Sequence, residues 1–270
     1  MRVDVNGTGI EVQVEGEGRP VVLLHGFPDT GQMWRHQVAA LRDAGFRVIV
    51  PDLRGFGGSD KPDDVEAYAI PFLAGDVLGV LDHLGIARAH VVGHDWGAAL
   101  AWAIAAFAPE RVDHLVAMSV GHPGAFADAG LAQREKSWYM LLFQFVGVAE
   151  QWCTKDNWAN FRGWSNHPEI NDVIAELERS QSLTPALNWY RANLPPQNLV
   201  TPGIEVPPVK APTMGMWSSG DMALLEDQMR NSSKFVEGSW RYERIDGAGH
   251  WMQLEAPERV NELLIDFLAR

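Results

Sequence analysis

The chain has 270 residues, and its 46% hydrophobic content suffices for the core of one large α/β domain or of two small domains. The formal net charge is −13 and no run of five basic residues occurs, which argues against nucleic acid as a partner. No apolar stretch approaches the ~20 residues of a membrane-spanning helix, and the amino terminus lacks the pattern of a signal sequence. We therefore expect a soluble, cytoplasmic protein without a membrane partner.

The single cysteine, Cys153, excludes an internal disulfide, and because no metal-ligand spacing surrounds it we predict neither metal nor cofactor.

Strands and helices alternate in the first half of the chain. Residues 3–14 alternate in polarity around an Asn-Gly turn, which predicts a β-hairpin. Further strands are predicted over residues 20–24, 47–50, 89–92 and 115–118, and helices over 32–44 and 71–84. The helix over 71–84 should bury one face, formed by Phe72, Val77, Val80, Leu81 and Leu84. This alternation predicts a mostly parallel, doubly wound sheet of the α/β class.

The alternation stops after His122-Pro123-Gly124. Residues 124–208 have a helical pattern, contain five of the eleven tryptophans and end in a Pro-rich stretch. The alternation then resumes with a strand over 213–217, a helix over 222–230, a strand over 240–245 and a last helix from Ala256. We predict a core domain of residues 1–123 and 209–270, interrupted after the sixth strand by a helical cap domain of residues 124–208.

The most informative motif is Gly93-His94-Asp95-Trp96-Gly97, which stands between an apolar strand and a helix-forming run. This pattern is typical of a nucleophile elbow, a strained turn that lifts one side chain above the sheet. The usual elbow presents serine, whereas this one presents Asp95. A carboxylate can displace a leaving group at an alkyl carbon, so that an ester forms on the enzyme itself.

A nucleophile of this kind needs a base and an acid that orients the base. In this architecture the chain order is nucleophile, acid, histidine, which indicates Asp221 as the acid and His250 as the base. Asp221 follows the strand over 213–217, where an aspartate also commonly caps the next helix. His250 follows the last strand in a Gly-Ala-Gly-His loop. Backbone N–H groups of Phe27, in the loop after residues 20–24, and of Trp96 are predicted to form an oxyanion hole.

The motifs HGFP (25–28), DLRGFGGSD (52–60), GHDWG (93–97), GD (220–221) and GAGHW (247–251) together resemble the α/β-hydrolase superfamily over essentially the whole chain. The aspartate at the elbow resembles the branch that contains epoxide hydrolases, haloalkane dehalogenases and fluoroacetate dehalogenases. Epoxide hydrolases of this family use two cap tyrosines to protonate the epoxide oxygen. Tyr139 and Tyr190 are the two tyrosines in the predicted cap, and their surroundings resemble those segments. The resemblance therefore implies an epoxide hydrolase with a small-molecule epoxide as substrate.

Two alternatives remain open. A haloalkane dehalogenase would use the same three catalytic residues and hold the halide with Trp96 and a second donor. Phe27 stands where an asparagine is often found in that family, but a cap tryptophan such as Trp138 could replace that donor. No arginine follows the nucleophile, which argues against fluoroacetate. A catalytically silent ligand-binding protein of this fold is the third possibility.

The candidate pocket walls are three tryptophans that flank the motifs, Trp138, Trp189 and Trp251. The sequence leaves the natural substrate, the stereoselectivity and the oligomeric state open.

Overall fold

A computed structural model describes residues 1–199 and 205–270. The predicted cap range and its Pro-rich end therefore include five residues, 200–204, that lie outside the described residues. The eight strands are β1 Arg2–Val5, β2 Thr8–Glu15, β3 Arg19–Leu24, β4 Phe46–Pro51, β5 Ala89–His94, β6 Val112–Met118, β7 Thr213–Gly220 and β8 Trp240–Gly249. They form one sheet in the order β1-β2-β4-β3-β5-β6-β7-β8.

The predicted hairpin and parallel sheet are both confirmed. β1 and β2 pair antiparallel around Asn6 and Gly7, whose positive φ angles of 53° and 79° suit a tight hairpin turn. β2 pairs antiparallel with β4, and all later neighbours are parallel. In this register Leu24 pairs with Gly93, which in turn pairs with Ala117. The carboxyl ends of β3, β5 and β6 therefore lie side by side, and the loops that follow them meet at one edge of the sheet.

Helices cover both faces of the sheet. The helices of the core are α1 Arg35–Asp43, α2 Ile70–His83 and α3 Trp96–Phe107, and after the cap α10 Glu226–Asn231, α11 Met252–Glu255 and α12 Pro257–Leu268. β3 shows why two layers form, since Val22 and Leu24 belong to the core shared with α2 and α3, whereas Val21 and Leu23 belong to the core shared with α1 and α12. Successive side chains of a strand point to opposite faces, so a continuous apolar strand needs cover on both.

The segment between β6 and β7 is helical, as predicted. Its helices are α4 Pro123–Asp128, α5 Gly130–Lys136, α6 Tyr139–Leu142, α7 Val148–Ser165, α8 Ile170–Ser180 and α9 Leu183–Asn193. Non-helical backbone angles interrupt α7 from Lys155 to Trp158, and Asp156, Asn157 and Trp158 have positive φ. Residues 124–208 are called the cap below; their status as a separate domain stays a prediction. In the part of the chain that the structure describes, no helix is long and apolar enough to cross a membrane.

Two details of the predicted helices are wrong. Phe72 is 56% exposed, and Leu73 takes its place on the buried face of α2 beside Val77. That face also buries the charged Asp76, which binds the guanidinium of Arg54 through two hydrogen bonds of 2.7 and 2.8 Å. A charged residue on the buried side shifts the apparent phase of an apolar pattern. This is why the sequence pattern placed Phe72, and not Leu73, on the buried face of α2.

The second difference is the start of α10, which begins at Glu226 rather than at residue 222. The side chain of Asp221 accepts hydrogen bonds from the N–H groups of Ala223 and Leu224, at 2.8 and 2.9 Å. These bonds hold the intervening residues in a turn before the helix begins.

Candidate active site

The elbow at Asp95 is built by glycines on either side. Asp95 has φ 52° and ψ −121°, a strained conformation for a residue with a side chain, and α3 begins at the next residue. A Cβ atom on Gly97 would collide with the carbonyl group of Leu24, and one on Gly93 would collide with the carbonyl group of Gly97. The turn can therefore pack against β3 only because both positions are glycine.

The two carboxylate oxygens of Asp95 have different surroundings. Oδ1 accepts a hydrogen bond of 2.9 Å from the N–H group of Phe27, and Oδ2 lies 3.6 Å from Nε2 of His250. A Cβ atom on Gly26 would collide with the Asp95 side chain, so this glycine permits the approach of the Phe27 loop. Trp96 is the first residue of α3, where backbone N–H groups lack a partner within the helix. Oδ1 thus lies where the predicted oxyanion hole would hold it, whereas Oδ2 faces His250.

His25 supports this loop, as its position in the HGFP motif suggests. Its Nε2 accepts a hydrogen bond of 2.9 Å from the N–H group of Leu53, so Nδ1 carries the proton and donates to the carbonyl of Gly26 at 3.0 Å. Burial lowers the pKa of His25 and keeps the ring neutral. The histidine thus joins the loops after β3 and β4.

Asp221 and His250 directly follow the ends of β7 and β8 and lie next to each other. Nδ1 of His250 is 3.0 Å from Oδ2 of Asp221, and both side chains are buried. The other oxygen, Oδ1, accepts the hydrogen bonds from Ala223 and Leu224. Oδ1 of the Asp221 carboxylate therefore stabilises the turn before α10, and Oδ2 contacts the histidine. Burial alone would raise the pKa of Asp221, but the charge and hydrogen bond of His250 outweigh it, so the pKa is lowered.

His250 is flanked by two carboxylates. Burial alone would lower its pKa, but the negative charge of Asp221 and then that of Asp95 outweigh this effect and raise the pKa to about 10. At neutral pH the ring is therefore an imidazolium ion between two carboxylates.

Sequence reasoning missed a hydroxyl group in this cluster. The Oγ atom of Ser119, one residue beyond the end of β6, hydrogen-bonds to Oδ2 of Asp221 and lies 2.9 Å from Nδ1 of His250. The residue follows a strand that carries no recognisable motif, and its partners lie 102 and 131 positions later. Its position after an interior strand was the only available signal.

Aromatic residues of the cap lie above Asp95. The rings of Tyr139 and Tyr190 are 6.1 Å apart, and the ring of Tyr190 packs edge-on against Trp96 at 5.0 Å and against Phe27 at 5.5 Å. Burial raises the pKa of both phenols well above 10, and the charge of Asp95 raises them further. Both tyrosines are therefore protonated and close to the predicted nucleophile.

Further cap residues complete this aromatic cluster and were not predicted from the sequence. The Phe27 ring contacts Phe143 at 5.7 Å, Phe161 at 6.0 Å and Trp164 at 6.5 Å. The Trp164 ring also contacts Tyr139 at 4.6 Å. These residues come from α7 and from the turn after α6, where an apolar helical pattern does not distinguish a pocket wall from an ordinary core.

The three tryptophans predicted to line the pocket have different surroundings. The indole of Trp189 donates a 2.9 Å hydrogen bond to the carbonyl of Arg54 and packs on Trp96 at 5.8 Å. Trp251 packs on His250 at 4.8 Å and donates a 2.8 Å hydrogen bond to Asp29. Trp138 is 48% exposed and packs on Trp152. Trp189 and Trp251 thus border the site from the sides, whereas Trp138 lies at the cap surface, and a role in substrate contact stays a prediction for each.

Comparison with known proteins identifies the family of the chain. A family model described as alpha/beta hydrolase fold matches residues 19–257. Epoxide hydrolase A of Mycobacterium tuberculosis is 34% identical to the chain, in an alignment that covers 98% of this chain and 96% of that protein. Epoxide hydrolase 3 of Xenopus tropicalis is 33% identical over 92% of this chain and 71% of its own length. The crystal structure of an epoxide hydrolase from Bacillus megaterium in complex with an inhibitor has a TM-score of 0.90 at 28% identity, with full coverage of both chains.

The chain therefore belongs to the α/β-hydrolase fold family. Within that family its sequence places it with the epoxide hydrolases, as the elbow and cap motifs predicted.

Proposed function

We propose that this enzyme opens an epoxide to a vicinal diol through an ester formed on Asp95. One observation carries the proposal: the buried Asp95 carboxylate accepts from the N–H group of Phe27 on Oδ1, lies 3.6 Å from the protonated His250 on Oδ2, and is close enough to two protonated phenols for its charge to raise their pKa. The names of the relatives give the same class of substrate.

In the first half-reaction Oδ2 of Asp95 attacks an epoxide carbon and the carbon–oxygen bond of the ring breaks. The oxygen leaves as an alkoxide, which is a poor leaving group unless it receives a proton. Tyr139 and Tyr190 hydrogen-bond that oxygen, and one of them donates its proton. The products of this step are an ester on Asp95, an alcohol and a phenolate.

Formation of the ester removes the negative charge of Asp95, one of the two charges that keep His250 protonated. The pKa of His250 falls, and its proton replaces the one lost by the tyrosine. His250 is then a neutral imidazole oriented by Asp221. It takes a proton from a water molecule that attacks the carbonyl carbon of the ester.

The tetrahedral intermediate places its negative charge on Oδ1, where the N–H groups of Phe27 and Trp96 stabilise it. The bond between the carboxyl carbon and Oδ2 then breaks, and Oδ2 leaves with the diol. It takes the proton of the hydroxyl group that water added to the carbon, so the enzyme returns to a carboxylate at Asp95 and an imidazolium at His250. The overall reaction adds one water to the epoxide.

The test is the variant His250→Gln mixed with styrene oxide. Because Asp95 remains and the base is lost, we expect a stable adduct on Asp95 in the intact mass and in peptide mapping. The matched variant Asp95→Asn should show none. In wild type, a single turnover in ¹⁸O-labelled water should place label in Asp95 before it appears in the diol. The absence of an adduct in His250→Gln would overturn the scheme.

Halide displacement by the same triad is the competing reaction. A halide needs N–H donors rather than a proton, and the Phe27 side chain offers none, whereas two phenols suit an epoxide oxygen. Parallel assays with styrene oxide and a bromoalkane separate the two reactions. If the enzyme turns over the bromoalkane faster than styrene oxide, the proposed function is wrong and halide displacement takes its place.

A further inference from the structure

We infer that Ser119 is a positioning residue for the second half-reaction, because it holds the Asp221 carboxylate and the His250 ring in the orientation that base catalysis needs. The inference rests on the proposed function, which assigns His250 to the hydrolysis of the ester and not to its formation. It adds a third residue to the acid–base pair, contributed by the strand that lies between those of Asp95 and Asp221.

The direction of each hydrogen bond follows from the protonation states. The imidazolium carries a hydrogen on Nδ1, so Nδ1 can only donate, and Oγ of Ser119 accepts from it at 2.9 Å or shares this hydrogen with Oδ2 of Asp221 at 3.0 Å. The Ser119 hydroxyl hydrogen is then directed to Oδ2 of Asp221. Each of the three groups therefore contacts the other two, and rotation of one ring or carboxylate would break two contacts.

The backbone of Ser119 is fixed from both sides. Its N–H group donates to the carbonyl of Met216 in β7 at 2.9 Å, and its own carbonyl accepts from Nε2 of Gln228 at 2.8 Å. The residue is fully buried and has φ 70°, in the left-handed region that favours glycine. A side chain at this position is strained, yet it places the hydroxyl between Asp221 and His250.

The hydroxyl also completes the hydrogen bonding of the Asp221 carboxylate. Oδ1 accepts from Ala223 and Leu224, and Oδ2 accepts from Ser119 and His250. Without the hydroxyl, Oδ2 and the histidine would be held by a single contact between them. Removal of the hydrogen-bond partners that orient a metal-bound histidine costs about 10–100-fold, and we expect an effect of the same order for the partner of His250.

The two half-reactions distinguish positioning from general structural support. Attack by Asp95 does not use His250 as a base, whereas hydrolysis of the ester does. In Ser119→Ala we expect the rate of ester formation with styrene oxide, followed by stopped-flow and rapid-quench mass spectrometry, to stay within about threefold of wild type. The rate of ester hydrolysis should fall about 10–100-fold, so that the ester accumulates at steady state.

A pair of variants separates the hydroxyl from the backbone. Ser119→Gly also removes the hydroxyl but relieves the strain at φ 70°, so it should hydrolyse the ester as slowly as Ser119→Ala while being at least as stable to heat. Ser165→Ala, which removes a buried hydroxyl without a hydrogen-bond partner among the described residues, is the control and should hydrolyse the ester at the wild-type rate. Equal slowing of both half-reactions in Ser119→Ala, or full activity in Ser119→Gly, would overturn the inference.

A measurement without substrate keeps this inference distinct from the proposed function. The proton on Nδ1 of His250 should give a downfield ¹H resonance below pH 8 that shifts in Ser119→Ala and Ser119→Gly but not in Ser165→Ala. If wild type opens no epoxide but this resonance shifts, the proposed function fails and the contact stands. An unchanged resonance would overturn the role of Ser119 whatever the substrate.

Discussion

Asp29 and His167 form a buried contact between the core and the cap. Nδ1 of His167 accepts a 2.9 Å hydrogen bond from the N–H group of Glu169, so Nε2 carries the hydrogen and donates to Oδ1 of Asp29 at 3.2 Å. Oδ2 of Asp29 accepts from the indole of Trp251 at 2.8 Å. Burial alone would raise the pKa of Asp29, but His167 and the indole outweigh it and lower the pKa. One ionised carboxylate thus joins the cap to the residue that follows His250.

Loss of this carboxylate should loosen the cap. We expect Asp29→Ala to lower the free energy of unfolding by about 3 kcal/mol, because a buried His–carboxylate contact loses one partner, and amide exchange should accelerate in α7 and α8. The control is Glu169→Ala, which removes a second contact between cap and core, the exposed ion pair with Arg35. Exposed pairs contribute below about 1 kcal/mol. If Asp29→Ala and Glu169→Ala lower the free energy of unfolding in urea by the same amount, burial does not determine the strength of the contact between Asp29 and His167.

The charge of Asp95 should control the protonation of His250. In Asp95→Asn one of the two charges that raise the pKa of His250 is lost, so that pKa should fall from about 10 toward neutrality. The measurement is an NMR titration of the His250 ring. Asp246→Asn, which changes an exposed carboxylate four positions earlier, should leave the titration unchanged. A pKa of His250 that stays the same in Asp95→Asn would contradict the proposed change of protonation between the two half-reactions.

Stability should depend on pH through His250. Its pKa is raised in the folded state, from an ordinary value of about 6.5 to about 10, so binding of the proton stabilises the fold. This contribution is fully present below pH 6.5 and is lost as the pH rises through 10. The free energy of unfolding of wild type minus that of His250→Gln should therefore decrease over this range in urea titrations. If the free energies of unfolding of wild type and His250→Gln depend on pH in the same way, His250 makes no such contribution.

The buried ion pair between Arg54 and Asp76 should contribute more than exposed pairs. The Arg54 guanidinium also donates to the carbonyl of Ala67, and the Arg54 carbonyl accepts from Trp189 of the cap. We expect Asp76→Ala to lower the free energy of unfolding by about 3–5 kcal/mol, since it leaves a buried positive charge without its partner. Glu176→Ala removes the partner of the exposed Arg179 and should cost about 0.5 kcal/mol or less. Thermal and urea unfolding of both variants give the comparison.

Much of the fold and part of the site could be predicted because they depend on local sequence. The elbow at Asp95 needs small residues within two positions on either side, and the strands near it are continuous apolar runs. Asp221 and His250 directly follow strands of a parallel sheet, whose carboxyl ends meet at one edge. Chain order and sheet topology thus suffice to bring the three side chains together, although they leave the chemical role of each as a proposal.

The residues that were missed depend on contacts between distant parts of the chain. Ser119 and the pair of Asp29 and His167 have no motif of their own, and their importance comes from partners more than a hundred positions away. Phe143 and Trp164 have the same local pattern as any buried helix residue. The burial of Asp76 could not be seen without its partner Arg54, and that one pairing also explains the wrong assignment of Phe72.

The cap segment that carries Tyr139 has apolar side chains on both sides. Tyr139 and Phe143 are buried toward the aromatic cluster, whereas Trp138, Leu141 and Phe145 are about half exposed. Under the proposed function the substrate would lie against the inward face of this segment. A bound apolar substrate would then add to the packing of this part of the cap, and ligand affinity and local cap stability would be two measures of the same packing. Replacing the outward residues by polar ones would alter the surface without altering the pocket, since the two sets alternate along the chain.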